Sequence, residues 1–176
     1  GNYPTPQFGP NVQIAFSSLS PTVTQDDIIN GRSTSETLDG GLGDDTYYAG
    51  DGHDVVRDTA DGINGGRNEV YGNGGNDILE VAHGRFSELF GGEGDDILIS
   101  DQTVTQMTGG EGADYFLPAD TPNGIIPRLT YAIIQDFTPG EDKVVIRLFG
   151  DETEDDFAVV ARDNGNVAIE RTLTPI

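Results

Sequence analysis

The sequence predicts an all-β fold, a solenoid wound from nonapeptides that each contribute a glycine-rich turn and a three-residue strand. Two observations carry the prediction. Three blocks between Gly72 and Leu117 read GNGGNDILE, GGEGDDILI and GGEGADYFL, and their aspartates Asp77, Asp96 and Asp114 recur at intervals of 19 and 18 residues, close to two nonapeptides each time. The same register extended backwards puts Ile29, Leu38, Tyr47, Val56, Val70, Leu79, Leu89, Leu98, Met107 and Phe116 at the eighth place. All ten are hydrophobic in a chain that is only 35% hydrophobic, so the column is hard to obtain by chance. The register takes in two insertions, at 58–62 (DTADG) and within 81–90.

Neighbouring side chains of a strand point to opposite sides, so the eighth residue faces inward and the seventh and ninth face out. The six residues before them form a turn that needs φ > 0 and close backbone approach, which glycine supplies without steric cost. Two nonapeptides make one coil, and strands one coil apart lie side by side at about 4.8 Å. No coil buries enough to stand alone, so stacking is obligatory. Each turn aims backbone carbonyls and one carboxylate at the turn of the next coil. Hard oxygen ligands without nitrogen or sulfur suit calcium, which takes roughly six to eight oxygens in flexible geometry.

At these residues the chain resembles the RTX family, also called hemolysin-type calcium-binding repeats, known for the parallel β-roll of serralysin-like protease C-terminal domains. The resemblance covers residues 22–117 strongly and the C-terminal region more loosely. It implies a right-handed parallel β-roll with about three or more Ca2+ ions. In the family each ion takes the second- and fourth-position carbonyls and the aspartate of one turn, with the first- and third-position carbonyls and the aspartate of the turn one coil later. On matching positions, one site would use Gly50, Gly52, Asp54, Gly72, Gly74 and Asp77. A second would use Asn73, Gly75, Asp77, Gly91, Glu93 and Asp96, and a third Gly92, Gly94, Asp96, Gly109, Glu111 and Asp114. A weaker site on the opposite edge would use Val23, Gln25, Asp27, Gly40, Leu42 and Asp45. Asp96 would then offer one carboxylate oxygen to each of two ions.

In chain order, residues 1–21 read as an N-terminal extended cap, with Pro4, Pro6 and Pro10 ahead of one short strand at Val12–Phe16. Residues 22–39 keep the inward residue and lose the glycines, as degenerate entry nonapeptides. From Gly40 the repeat sharpens, and after DTADG strong and weak copies alternate. Alternate copies lie on opposite edges. One edge therefore collects Asp54, Asp77, Asp96 and Asp114, while the other has Asp27, Asp45, Asn68, Ser87 and Thr105.

Residues 118–176 leave the glycine repeat and form a C-terminal antiparallel β cap with a candidate secretion-signal region. After the loop ADTPNGIIP, LTYAIIQDF and DKVVIRLF read as strands split by the turn TPGED, and DETEDD reads as a solvated turn. Asn164-Gly165 marks a hairpin. IIQDFTPGEDKVVI resembles the segment that commonly follows the last RTX repeat, which would extend the last coil and cover its core.

Two outward columns stand out. Tyr48, Tyr71 and Phe90 stack at ninth positions, one per coil. They are either covered by the N-terminal segment or another piece of this chain, or open as a sticky patch or a platform for sugar rings, since exposed apolar patches usually mark contacts. On the other sheet, Val55, Ile78, Ile97 and Tyr115 at seventh positions, with Ile99 and Leu117 at ninth, predict a face covered by the C-terminal cap or an upstream domain.

Nine Lys+Arg against 31 Asp+Glu give a net charge of −22, which makes nucleic acid and anionic membrane poor partners and cations good ones. So acidic and glycine-rich a chain reads as unfolded without calcium, and metal binding then becomes folding energy. There is no cysteine, and no apolar run is long enough to span a bilayer. The first residues, GNYPTPQFGPNVQIAF, lack the pattern of a cleavable signal, whereas the resemblance implies type I export from a Gram-negative bacterium. No HExxH, GxSxG, P-loop or Cys/His pairing occurs, so the zinc-protease chemistry of serralysin-like relatives has no place in this chain. His53 and His83 are too few for zinc, and the many carboxylates read as ligands and solvated turns, not as a glycosidase pair. The expected function is non-enzymatic: a calcium-binding module that folds on extracellular calcium after export and supports an attached or upstream protein. The alternative is a calcium-dependent carbohydrate- or surface-binding module, like those attached to alginate epimerases.

Overall fold

The computed structural model describes residues 26–58, 66–82, 86–101, 104–118, 131–145, 157–161 and 166–171. The N-terminal cap, residues 59–62 of the insertion, His83, DETEDD and the last residues lie outside them.

The described residues form strands and turns without a helix. The roll is built from β1 (Ile28–Asn30), β2 (Thr37–Leu38), β3 (Thr46–Asp51), β4 (Val55–Asp58), β5 (Arg67–Gly74), β6 (Ile78–Ala82), β7 (Phe86–Glu93), β8 (Ile97–Asp101), β9 (Val104–Glu111) and β10 (Tyr115–Leu117). Odd-numbered strands stack in parallel in one sheet and even-numbered strands in parallel in the other, so the chain crosses between sheets at every turn. The register pairs Ile29 with Tyr47, Tyr47 with Val70, Val70 with Leu89, and Leu89 with Met107. Opposite them, Leu38, Val56, Leu79, Leu98 and Phe116 pair in the same way. All ten eighth-position residues are buried, Ile29 being the most exposed at 6%. They form one core with Ala49, Val81 and Ile134. The gaps assigned to 58–62 and 81–90 therefore keep every inward residue in line.

Beyond the glycine repeat the roll gains another coil. β11 (Tyr131–Ile134) pairs in parallel with β9, and β12 (Lys143–Val144) in parallel with β10. Ile134 is fully buried, and Phe137 and Val144 pack on the end of the core, with the Phe137 ring 6.4 Å from that of Phe116. The predicted hairpin is present as β13 (Phe157–Ala161) and β14 (Val167–Arg171). β14 pairs antiparallel with β11, so the hairpin extends the odd-numbered sheet in its own plane. Among the described residues it therefore does not lie over the face bearing Val55, Ile78, Ile97 and Tyr115, as the sequence suggested for the cap. Its ladder bonds satisfy the edge of β11 instead. On that face Lys143 donates to the Tyr115 hydroxyl at 2.8 Å, its ammonium 4.8 Å from the ring centroid.

Candidate metal centre

The turns alternate backbone hand. Positive φ occurs at the second and fourth positions, at Gly50 (104°) and Gly52 (140°), Asn73 (74°) and Gly75 (116°), and Gly92 (120°) and Gly94 (121°). This alternation swings successive peptide planes to opposite sides of the turn. Second- and fourth-position carbonyls then face the next coil: a Cβ on Gly92 would strike the Asn73 oxygen, and one on Gly94 the Gly75 oxygen. Third-position carbonyls face the preceding coil. Gly74, Glu93 and Glu111 accept from the N–H groups of Gly52 (2.7 Å), Gly75 (2.8 Å) and Gly94 (2.8 Å), which leaves each a second lone pair. Second-, third- and fourth-position carbonyls thus face one another across the gaps between stacked turns.

The sixth-position carboxylates complete those gaps. Each accepts, through Oδ1, from the backbone N–H of the sixth residue one coil earlier. The bonds run from Glu36 to Asp54 (2.7 Å), Asp54 to Asp77 (2.8 Å), Asp77 to Asp96 (2.8 Å), Asp96 to Asp114 (2.9 Å) and Asp114 to Asp142 (3.0 Å). One oxygen of each aspartate accepts a bond of this ladder. In Asp96, Oδ1 accepts this one bond and keeps a second lone pair, while Oδ2 has no hydrogen-bond partner.

Oδ2 of Asp54, Asp77, Asp96 and Asp114 is buried without a hydrogen-bond partner, as is that of Asp45 on the opposite edge. Each of these aspartates is at most 1% exposed. A Cβ on Gly72 would sit 2.5 Å from Asp77 Oδ2, and Gly91 and Gly109 are placed likewise over Asp96 and Asp114, so glycine at the first position leaves that oxygen its room. Ion pairs among the described residues, Arg57–Glu80 and Arg67 with Glu69 and Glu88, lie on outer faces and bring no Lys or Arg to these carboxylates. Burying an unpaired carboxylate is expensive. Five such groups fit a hard cation bound through oxygen. Among the described residues no three His, Cys, Asp or Glu side chains cluster as a metal site, and the other oxygens that face these gaps from the second, third and fourth positions are backbone carbonyls.

Burial drives these carboxyls upward, Asp96 to about 7 and Asp45 and Asp54 to about 6, with Asp77 and Asp114 raised as well. A folded-state value above the unfolded one means that the ion-free fold holds extra protons, and its stability falls as pH rises from about 4 through about 7. Calcium needs the deprotonated groups. In calcium-free buffer, circular dichroism is therefore expected to show more β structure at pH 5 than at pH 8, and the calcium midpoint is expected to rise as pH drops from 8 to 6. A midpoint independent of pH would contradict the raised values.

On the other edge Asp27 N–H donates to Asp45 Oδ1 (2.8 Å) and Asp45 N–H to Asn68 Oδ1 (2.9 Å), then Asn68 N–H to Ser87 Oγ (3.2 Å). The ladder persists there with neutral rungs after Asp45, and Gly40 and Leu42 lie in the Asp45 turn. Val23 and Gln25 lie outside the described residues. Tyr47 adds a contact the sequence did not announce: its hydroxyl accepts from Gly40 N–H (2.7 Å) and donates to Asp58 (2.9 Å).

The sequence reading also passed over the two end rungs. Glu36 accepts from Arg32 N–H (2.7 Å) and the Thr34 hydroxyl (2.9 Å), and Asp142 accepts through Oδ2 from Thr138 N–H (2.7 Å). Asp136 accepts from both Gly109 and Gly110 N–H, at 2.9 and 2.8 Å. The signal for Glu36 was its sixth place in GRSTSETLD. Asp142 stands 28 residues beyond Asp114, where the period is broken.

The aromatic column forms as expected, with Tyr48 and Tyr71 at 5.1 Å and 10°, and Tyr71 and Phe90 at 4.8 Å and 5°.

A family model described as the RTX calcium-binding nonapeptide repeat matches residues 23–56, 64–82 and 87–102 in four copies. No curated protein and no solved structure matches the chain.

Proposed function

We propose that the chain, whose residues 23–56, 64–82 and 87–102 match the RTX calcium-binding nonapeptide repeat, is a calcium-dependent folding module that is exported through a type I system and folds outside the cell, where it supports an attached or upstream protein. The observation that carries this reading is the set of five buried aspartates with one unpartnered oxygen each, in a chain of net charge −22. Without cations, self-repulsion and buried carboxylates oppose the compact state. Calcium, when bound, supplies the missing counter-charge and accepts carbonyl and carboxylate oxygens together. The chain's own part is to bring those oxygens to one gap, and only stacked coils do so. Extracellular calcium modules work at roughly 10⁻⁴–10⁻³ M, so scarce cytosolic calcium leaves the chain open for threading.

Circular dichroism across a calcium titration of the 176-residue chain is expected to show little β structure in excess EGTA at neutral pH and a cooperative gain towards millimolar calcium. Magnesium should substitute poorly, because it demands octahedral geometry at about 2.0–2.1 Å, which oxygens on stacked turns do not reach. A full β signal in EGTA would leave calcium as a stabiliser only.

The Tyr48–Tyr71–Phe90 row favours the second reading, a carbohydrate- or surface-binding module. Its rings stack face on face, however, so a ligand meets ring edges along most of the row. A glycan screen with and without calcium separates the two readings.

A further inference from the structure

Beside the sixth-position ladder runs a second one, at the fifth position and in the opposite direction. On the strong edge His53 N–H donates to Ser35 Oγ (3.1 Å), Asn76 N–H to His53 Nδ1 (2.8 Å), Asp95 N–H to Asn76 Oδ1 (3.1 Å) and Ala113 N–H to Asp95 Oδ1 (2.9 Å). On the other edge Asp44 N–H donates to Asp26 Oδ1 (3.0 Å) and Arg67 N–H to Asp44 Oδ1 (2.9 Å). A fifth-position side chain reaches forward to the next coil, whereas a sixth-position side chain reaches back.

Each pair of consecutive strong-edge turns from residues 31–36 to 109–114 is therefore stapled by two crossed side-chain-to-backbone bonds on adjacent residues. One bond alone leaves two turns free to pivot about it. Two of opposite direction set both their spacing and their tilt, and the second-, third- and fourth-position carbonyls face one another across that same gap. Ser, His, Asn and Asp share no charge and no shape at this position. What they share is an acceptor atom close to Cβ. At Ala113 there is none, and there Asp136 takes over by accepting from Gly109 and Gly110.

We infer that Ser35, His53, Asn76 and Asp95 are positioning residues for calcium: they set affinity by fixing the gap between turns without touching the ion, and through their acceptor atom, not their charge. The inference rests on reading these turns as the calcium sites.

The test is a calcium titration of the full chain, followed by circular dichroism and calorimetry. Ala113 shows that alanine fits the fifth position, so Asn76→Ala deletes only the acceptor. It is expected to raise the calcium midpoint about fivefold, the worth of one net hydrogen bond. Asn76→Ser, which copies Ser35, should return the midpoint to within about twofold of the parent. Asp95→Ala should match Asn76→Ala, and Asp95→Asn, which loses charge and keeps the acceptor, should stay within about twofold. The ratio of strontium to calcium midpoints should also change in Asn76→Ala, because a looser gap discriminates ion size less. It should hold in Val81→Ala, which weakens the core side of β6 four residues beyond Asp77.

An unchanged midpoint in Asn76→Ala, equal losses in Asp95→Asn and Asp95→Ala, or an unaltered strontium ratio overturns the inference. If Asn76→Ala does not fold at any calcium concentration, recovery in Asn76→Ser supports it and failure of Asn76→Ser overturns it. A parent chain with no calcium response would instead remove the calcium reading itself.

Discussion

Asp96→Ala is expected to raise the calcium midpoint for folding about tenfold or more. The substitution deletes the buried Oδ2 that has no protein partner and strips the Asp77 N–H of its acceptor. A hydrogen bond to a charged group is worth about 1.5–3 kcal/mol, and each 1.4 kcal/mol is about a factor of ten. Asp96 lies mid-column, with Asp77 before it and Asp114 after it, so both flanking gaps lose charge. Asp77→Ala ranks next, because one of its gaps spans the insertion. Asp114→Ala follows, its far neighbour being the already saturated Asp142. Asp45→Ala ranks last, since the rungs beyond it are neutral.

Asp96→Asn separates the two roles of the residue. An amide oxygen can keep the bond to Asp77 N–H, as Asn68 does for Asp45, while the buried charge is gone. Calcium affinity should drop nearly as far as in the alanine variant. The ion-free chain should become more structured, because desolvating an amide costs less than desolvating a carboxylate. A titration showing Asp45→Ala worse than Asp96→Ala would put the strong calcium column on the wrong edge.

Gly94→Ala is expected to abolish folding at millimolar calcium, with a midpoint shift of about thirtyfold or more. Its φ of 121° is one that residues with a Cβ rarely adopt, and left-handed backbone costs them roughly 1–2 kcal/mol. The added methyl would also drive into the Gly75 carbonyl oxygen, one of the oxygens that line the gap. Gly140→Ala is the control. At Gly140 φ is 98° with nothing within 4 Å of a Cβ, so strain acts alone and the shift should stay near tenfold or below. Thermal melts at fixed calcium, read beside the titrations, show whether loss of affinity tracks loss of fold. Equal effects of Gly94→Ala and Gly140→Ala would mean that the tight approach between coils is not what the glycine serves.

By itself the sequence determined the solenoid, the ten inward residues from Ile29 to Phe116, the two unlike edges and the β13–β14 hairpin. These follow from local rules: side chains alternate along a strand, glycine marks the left-handed turn positions, and Asn-Gly marks a tight turn. A periodic chain repeats those rules often enough to read them. Only the tertiary structure decided how stacked turns hold one another. That Asp96 gives one oxygen to Asp77 and keeps one free, that His53 and Asn76 form a counter-running ladder, and that Glu36 and Asp142 saturate the column ends all depend on which way a side chain leans across a gap of a few ångströms. The partners in the two ladders are 18 to 28 residues apart in the chain. Neither composition nor period encodes that lean, because serine, histidine, asparagine and aspartate become equivalent only once the turns are stacked and an N–H stands within their reach.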